Sequence, residues 1–435
     1  MATPNHPCGK PRQSRTADRL MGPPVDVWPV TRAKTMEDLL LHCYPAFGGA
    51  FIRRIYQLLD TAIGRRVPLI MAVAGPLTAS NQHRAWANPL LETGWFAYFT
   101  GTDAMCYHDG HDSLRKFNER PIREVAIEGM DEAYGKAGII RITDLGFKKE
   151  ILLDQDEFIT TVLRQREFQR KMAGPEFRNL LGKYYDAQER AFGVDSGLLA
   201  TCYKHGIPVF VGAPGDGSIF LNQMKLWAMA QLRLIEHKFE LDIEAEVFES
   251  CAYHFWGLTK SQARALAILI LGGGVPKNFS LQPEPTLDQI LLLENIRGYD
   301  FDMQIVGAPV SDGSLTGCKP SEAHTWGKIS LEALRSGTES YQGDYSTYMP
   351  LIAKALLEKR ERFQDMHRRL GSKVLFRRHP EARGYLAEDG HFRLYDRRQE
   401  LTQNLFEVIS RPKTRKRLEA TWNYPLEHLK RRLVA

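Results

Sequence analysis

ALAILILGGGVPKNF, residues 265–279, opens with seven apolar residues and stops at three glycines. An apolar run of that length, without alternation, suits a strand buried on both faces, as in a parallel sheet. The glycines let the backbone turn sharply or approach another group closely. Strand ends of this kind form the ligand crevice of an open α/β sheet, although three glycines alone fit a tight turn equally well.

Similar runs recur on either side. Residues 67–75 (VPLIMAVAG), 95–100, 206–212 and 303–310 are each apolar and each break into a loop of small or polar residues. Between them, apolar spacing predicts two helices over 35–64, others over 85–93 and 288–295, and mostly helix through the charged stretch 117–193. A further helix follows Asp344, with Met349, Leu351, Ile352, Ala355 and Leu356 on its apolar face. Strand, loop and helix in alternation predict an α/β fold: a Rossmann-like, mostly parallel sheet with helices on both faces. Residues 1–35 read as an arm, either a disordered tail or a segment lying on a neighbour. Residues 371–435 read as a basic extension, with a hairpin-like unit over 374–395 and one or two helices over 399–433.

Composition narrows the classes. The chain has 435 residues, is 43% hydrophobic and carries a formal charge of +6, the balance of a globular protein. From Gly371 onward there are fifteen Lys/Arg against eight Asp/Glu, so the extension holds the positive excess. KTRKR, residues 413–417, fits a solvated helix face better than a nucleic-acid contact, because no aromatic residues interleave it. Six scattered cysteines, without a CxxC pair, argue against a disulfide framework and for a reducing cytoplasm. No apolar signal core and no run of about 18 apolar residues points to export or a membrane span.

The glycines do not continue as GxGxxG or as a P-loop, so any dinucleotide must be held by another set of loops. GVDSG, residues 193–197, has its serine one place late for a nucleophile elbow, which disfavours a serine hydrolase. HDGHD, residues 108–112, could gather a metal; a helix entry with aspartate as cap explains the same letters, and no metal is expected. Asp216, just past a strand, suits either a ribose hydroxyl or a helix cap. Downstream, Asp312, Glu322, Trp326 and Lys328 fall in one short segment punctuated by Gly313, Gly317, Pro320 and Gly327. A partly desolvated lysine beside a tryptophan suits imine chemistry, since a neutral amine can attack a carbonyl or imine carbon. Taken singly, Trp326 reads as core and Lys328 as surface.

LGGGVPKNF (271–279), SDGSLTG (311–317) and above all EAHTWGKI (322–329) together resemble the deoxyhypusine synthase family. The resemblance runs from about Asp38 to about Leu357, within a domain taken as 36–370. It implies NAD as cofactor, an aminobutyl group cut from spermidine and carried as an imine on Lys328, and a homotetramer with sites at subunit interfaces. Catalytic roles fall to Lys328, Trp326, Glu322 and His108. Positions touching the nucleotide would be Thr78, Ser80, Thr102, Asp103, Asp216, Gly272, Gly273, Gly274, Gly307, Ala308, Asp312, Asp344 and Tyr345.

Three departures concern the amine. Asn278 replaces a histidine of spermidine-using members, Leu315 an aspartate and Asn222 an acidic residue, and His108 falls where some members place an acid. Each change removes charge or a titratable group, which predicts weaker attraction for a tricationic substrate. With PKNF and LQPEP, the pattern looks more like the bacterial deoxyhypusine-synthase-like branch. The expected activity is an NAD-dependent aminoalkyl transfer without net redox, from a polyamine or smaller amine, with homospermidine-type products among the options. The alternatives are a lyase or cyclase using the same lysine imine, and a non-catalytic NAD-binding homologue.

Overall fold

The structure is a computed structural model that describes residues 24–117, 119–387 and 392–422. Six strands form its main sheet: β1 (Leu69–Val73), β2 (Phe96–Gly101), β3 (Val209–Val211), β4 (Ala267–Leu271), β5 (Phe301–Val306) and β6 (Thr338–Gln342). Their order is β6-β5-β4-β1-β2-β3, and every neighbouring pair is parallel. The unbroken apolar runs follow from burial on both faces. Leu69, Met71 and Val73 of β1 and Leu269 and Leu271 of β4 enter one layer, while Ile70, Ala72, Ile268 and Ile270 enter the other.

The first layer is closed by helices Phe47–Gly64, Gly174–Phe192 and Tyr345–Leu370, and the second by Ile243–Thr259 and Gly274–Leu281. From β1 the chain lays strands outward to β3, then returns to place β4 on the other side of β1. Connections therefore leave β1 and β4 in opposite directions, which opens a crevice at their carboxyl ends.

Several segments differ from the reading of the sequence. Within 117–193 a small antiparallel sheet pairs Leu145–Lys148 with Arg123–Glu124 and Ile139–Ile142. Its turn depends on Thr143 at φ 54° and Gly138 at φ 65°, conformations that end a helix. Residues 288–295 are not a regular helix: a π-type turn, Thr286–Ile290, is followed by left-handed Leu292 and Asn295. The hairpin-like unit is instead two short helices, Ser372–Arg378 and Ala382–Leu386. Arg398–Ile409 and Pro412–Trp422 are helical as the sequence suggested, and residues 423–433 lie outside the described residues. So does most of the arm; its described end stacks Trp28 on His42 with ring centroids 3.8 Å apart.

The C-terminal segment contributes to both layers. Leu375, Phe376 and Tyr385 join the first, and Leu394, Leu401 and Leu405 join the second beneath Ile243–Thr259. Tyr385 also donates to Asp60, which Lys359 bridges to Glu37. Leu405→Ala should therefore lower unfolding free energy by about 2–4 kcal/mol in a urea titration. A change below about 0.5 kcal/mol would show that the helix merely rests on the surface.

Candidate functional site

The crevice is built on glycine. Gly75 has φ 96° and Gly272 φ 85°, and a Cβ on Gly272 would stand 2.7 Å from the Ala74 carbonyl oxygen. No larger residue fits between β1 and β4 at this level. Tyr345 forms the wall beyond them, edge-on to Trp86 with ring centroids 6.0 Å apart. Gly273 precedes helix Gly274–Leu281, whose first turn faces the opening. Asp216, Asp312 and Asp344 lie exposed in the loops after β3, β5 and β6, as does Gly307, with Ala308 half-buried. Asp344 accepts from the Ser346 amide at 2.8 Å and Asp312 from that of Ser314 at 2.8 Å, which fixes both turns.

Other site candidates carry structural bonds. The Thr78 hydroxyl donates to the Met105 carbonyl, Ser80 donates to Pro76, and Thr102 caps Asp103–Asp109. Asp103 is buried and accepts from the amides of Ile219 and Phe220, anchoring the head of helix Ser218–Gln231. Burial pushes its carboxyl up to about 6. Asn222 donates to Asp156 at 2.7 Å and accepts from Thr160 and Lys225. His108 lies against His111, its ring pushed down to about 4 by burial. In the same motif Asp109 accepts from the amides of Leu198 and Leu199, and Asp112 pairs with Arg84 and Arg115. Among the described residues no group of three His, Cys, Asp or Glu side chains could hold a metal.

Lys328 occupies a second space, a cavity of about 650 Å³ in the Ile243–Thr259 layer. Asn278, Leu315, Glu322 and Trp326 line it with the lysine, whereas His108 and Asn222 do not. The Lys328 backbone is clamped: its amide donates to Ala323 at 3.1 Å and its carbonyl accepts from Tyr299 at 3.0 Å. A Cβ on Gly298 would stand 2.3 Å from that carbonyl. The side chain is 9% exposed, and Nζ meets the Asn278 amide oxygen at 3.3 Å. Burial pushes the amine below the usual lysine range, opposed by the charge of Glu284. Nζ stands 5.9 Å from the ring of Trp326, which is 61% exposed, so an apolar wall and a π face border the amine.

Sequence reasoning passed over a second lysine. Lys277 is 1% exposed and donates to the Gln304 side chain at 3.0 Å and to the Cys318 carbonyl. Gln304 in turn donates to Asp302 at 3.1 Å, and burial pushes the Asp302 carboxyl up to about 7. The signal was present in FDMQIV, residues 301–306: two polar side chains at alternate positions of a buried strand share one face. Because folded Asp302 holds its proton to higher pH than the unfolded chain, the wild type should lose stability as pH rises from about 4 to about 7. Asp302→Asn should flatten that decline by at least about 1 kcal/mol in denaturant titrations at pH 5 and pH 8. Parallel slopes in the two proteins would contradict it.

A family model described as deoxyhypusine synthase matches residues 41–356. The deoxyhypusine synthase-like protein of Nostoc punctiforme is 34% identical over 343 residues, 78% of this chain and 84% of the relative. Its counterpart in Cyanothece sp. is 33% identical, covering 76% of this chain and 81% of the relative. A probable deoxyhypusine synthase 2 of Methanosarcina acetivorans is 28% identical, covering 68% and 78%. The matched residues include both the glycine crevice and the Lys328 cavity, and the chain belongs to the deoxyhypusine synthase family.

Proposed function

We propose that this protein is an NAD-dependent aminoalkyl transferase that carries its fragment as an imine on Lys328, taking a polyamine or a smaller amine as donor. The observation behind this reading is a lysine 9% exposed whose side chain meets a neutral amide and an aromatic face at the wall of a cavity. A buried amine with that neighbourhood loses its proton more readily than a surface lysine and becomes nucleophilic. Its nitrogen would attack the substrate imine carbon, the first amine would leave, and an acceptor amine would displace Lys328 in the same way. Trp326 would pack on the methylene chain, and Glu322 would offset a cationic nitrogen or move its proton.

NAD, when bound, would supply a hydride acceptor for the carbon bearing the donor nitrogen and a hydride donor for the product imine. The residues present suit such a group. The crevice lies at the reversal of strand order, glycine backbones line its floor, and the exposed carboxylates Asp216, Asp312 and Asp344 stand where ribose hydroxyls could be met. Asn278 and Leu315 line the Lys328 cavity where an imidazole and a carboxylate would attract a tricationic amine, which favours a smaller or less charged donor. Trp227, Leu221, Met224, Ile290, Leu315 and Trp326 are large and exposed on one chain, in keeping with a homotetramer that covers them and completes each site. Among the described residues no helix is long and apolar enough to cross a membrane, and the proposed setting is the cytoplasm.

The test is to incubate the protein with NAD and spermidine, putrescine, homospermidine or agmatine, add borohydride, and map added mass by peptide mass spectrometry. An adduct on Lys328, absent in Lys328→Ala, is expected, and its mass identifies the fragment. Product analysis then separates transfer from release of a cyclic imine. No adduct from any amine while NAD binds would remove amines from the reading. Trp326→Ala should raise KM roughly 2- to 30-fold with little change in kcat, the range expected for a cation–π wall.

A further inference from the structure

Lys328 and its amide partner Asn278 sit on separate elements, and one residue outside the cavity lining grips both. Tyr299, two places before β5, is fully buried. Its amide donates to the Lys328 carbonyl at 3.0 Å, and its carbonyl accepts from the Ser330 amide at 3.0 Å. The backbone on either side of Ile329 is therefore paired to Tyr299 as in a parallel ladder.

The side chain of Tyr299 reaches to a different element. Its hydroxyl donates to the Ser280 carbonyl at 2.8 Å, near the end of helix Gly274–Leu281. Two residues earlier on that helix stands Asn278, whose amide oxygen meets Lys328 Nζ at 3.3 Å. Tyr299 thus closes a circuit of direct contacts, from the Lys328 backbone through its own side chain to Ser280, Asn278 and the Lys328 amine. Ser280 has one more tie, from its hydroxyl to that of Thr100 on β2 at 2.9 Å. Tyr98, also on β2, stands outside the circuit with its hydroxyl 3.3 Å from that of Tyr299.

A lysine side chain has many rotamers to lose, and one contact to a neutral amide is a modest bond. That contact orders the amine only where the lysine backbone and the helix are already in place. A buried tyrosine suits the task, because its stiff ring sets the distance between the backbone that it pairs with and the carbonyl that its hydroxyl meets.

We infer that Tyr299 is a positioning residue that holds the Lys328 amine against Asn278, its backbone fixing the lysine and its hydroxyl fixing the helix. The inference rests on the reading of Lys328 as the nucleophile and adds to it the residue that aims the amine.

The experiment follows reductive methylation of Lys328 by formaldehyde and cyanoborohydride on the full chain, with rates read by peptide mass spectrometry. Tyr299→Phe keeps the ring and the backbone and removes only the hydroxyl. It should free the amine from its amide and speed methylation roughly 3- to 10-fold, the range of one hydrogen bond. Asn278→Ala, which removes the acceptor itself, should do the same. Added to Asn278→Ala, Tyr299→Phe should change the rate by less than about 1.5-fold, whereas loosened packing alone would multiply the two effects. Tyr98→Phe loses a buried hydroxyl but leaves the Ser280 bond, and should stay within about 1.5-fold of the wild type. An unchanged rate in Tyr299→Phe, multiplied effects in the double variant, or an equal rise in Tyr98→Phe would overturn the inference. If Tyr299→Phe does not fold by circular dichroism, Thr100→Val decides in the same cycle, because it frees the same end of the helix. If neither folds, these hydroxyls serve the fold and the inference fails. The probe needs neither NAD nor an amine substrate. A missing amine adduct therefore leaves this test intact, and an unchanged methylation rate leaves the imine chemistry intact.

Discussion

Pairing of Leu69–Val73 with Ala267–Leu271, five residues in register and fully buried, is the constraint on which the molecule depends. It joins two halves that run away from each other across the sheet. Parallel strands put all their carboxyl ends on one edge, and reversal of strand order at this pair keeps that edge open. Gly272 follows from the same pairing, because a side chain there would meet the Ala74 carbonyl, and Gly75 from its φ of 96° at the end of β1. Each loop that bears an exposed carboxylate then leaves a strand whose direction the pair has already set.

The second layer is organised by charge as well as by packing. Lys277 and Lys328 are buried within one layer with Asp302 and Glu284, and two different devices keep that arrangement stable. Lys277 is tied through Gln304 to Asp302, a chain of direct hydrogen bonds. Among the described residues Lys328 has one hydrogen-bond acceptor, the neutral Asn278 amide, where Lys277 has two neutral acceptors. Lys277 is thereby held between strand and loop, and Lys328 keeps more of its donor capacity free of protein acceptors.

Much of this was legible in the residues. Unbroken apolar runs located β1 and β4 because burial on both faces removes the need for polar alternation, and Lys328 stood out through its neighbours Trp326 and Glu322. Asp103 and HDGHD were harder: Asp103 caps a helix more than a hundred residues away in sequence, and Asp109 holds amides at 198–199, contacts that no local spacing encodes. The bond of Tyr299 to Ser280 was hidden for the same reason, since strand entry and helix meet only in the folded layer. The small sheet and the irregular 291–295 segment depend on positive φ at Thr143 and Leu292, residue types that do not announce a turn, as well as at Asn295. In the C-terminal extension, charge dominated the composition and concealed the few leucines that bind it to the core.

Helix Gly274–Leu281 is what makes one site of two spaces. Its first residues face the crevice at β4, while Lys277, Asn278 and Leu281 line the Lys328 cavity, so a displacement of its axis would alter both. The loop after β5 closes over the same helix: a Cβ on Gly274 would stand 3.1 Å from the Leu315 side chain, ordinary only because Gly274 has none. Leu315 therefore joins the loop to the helix as well as lining the cavity. An apolar side chain there packs against helix backbone, where a carboxylate would have to remain hydrated or find a cation. Asn278 on the helix and Leu315 on the loop above it thus line one wall with side chains that carry no titratable group. With no charge at that wall, the Lys328 amine is governed chiefly by its burial, which lowers its proton affinity.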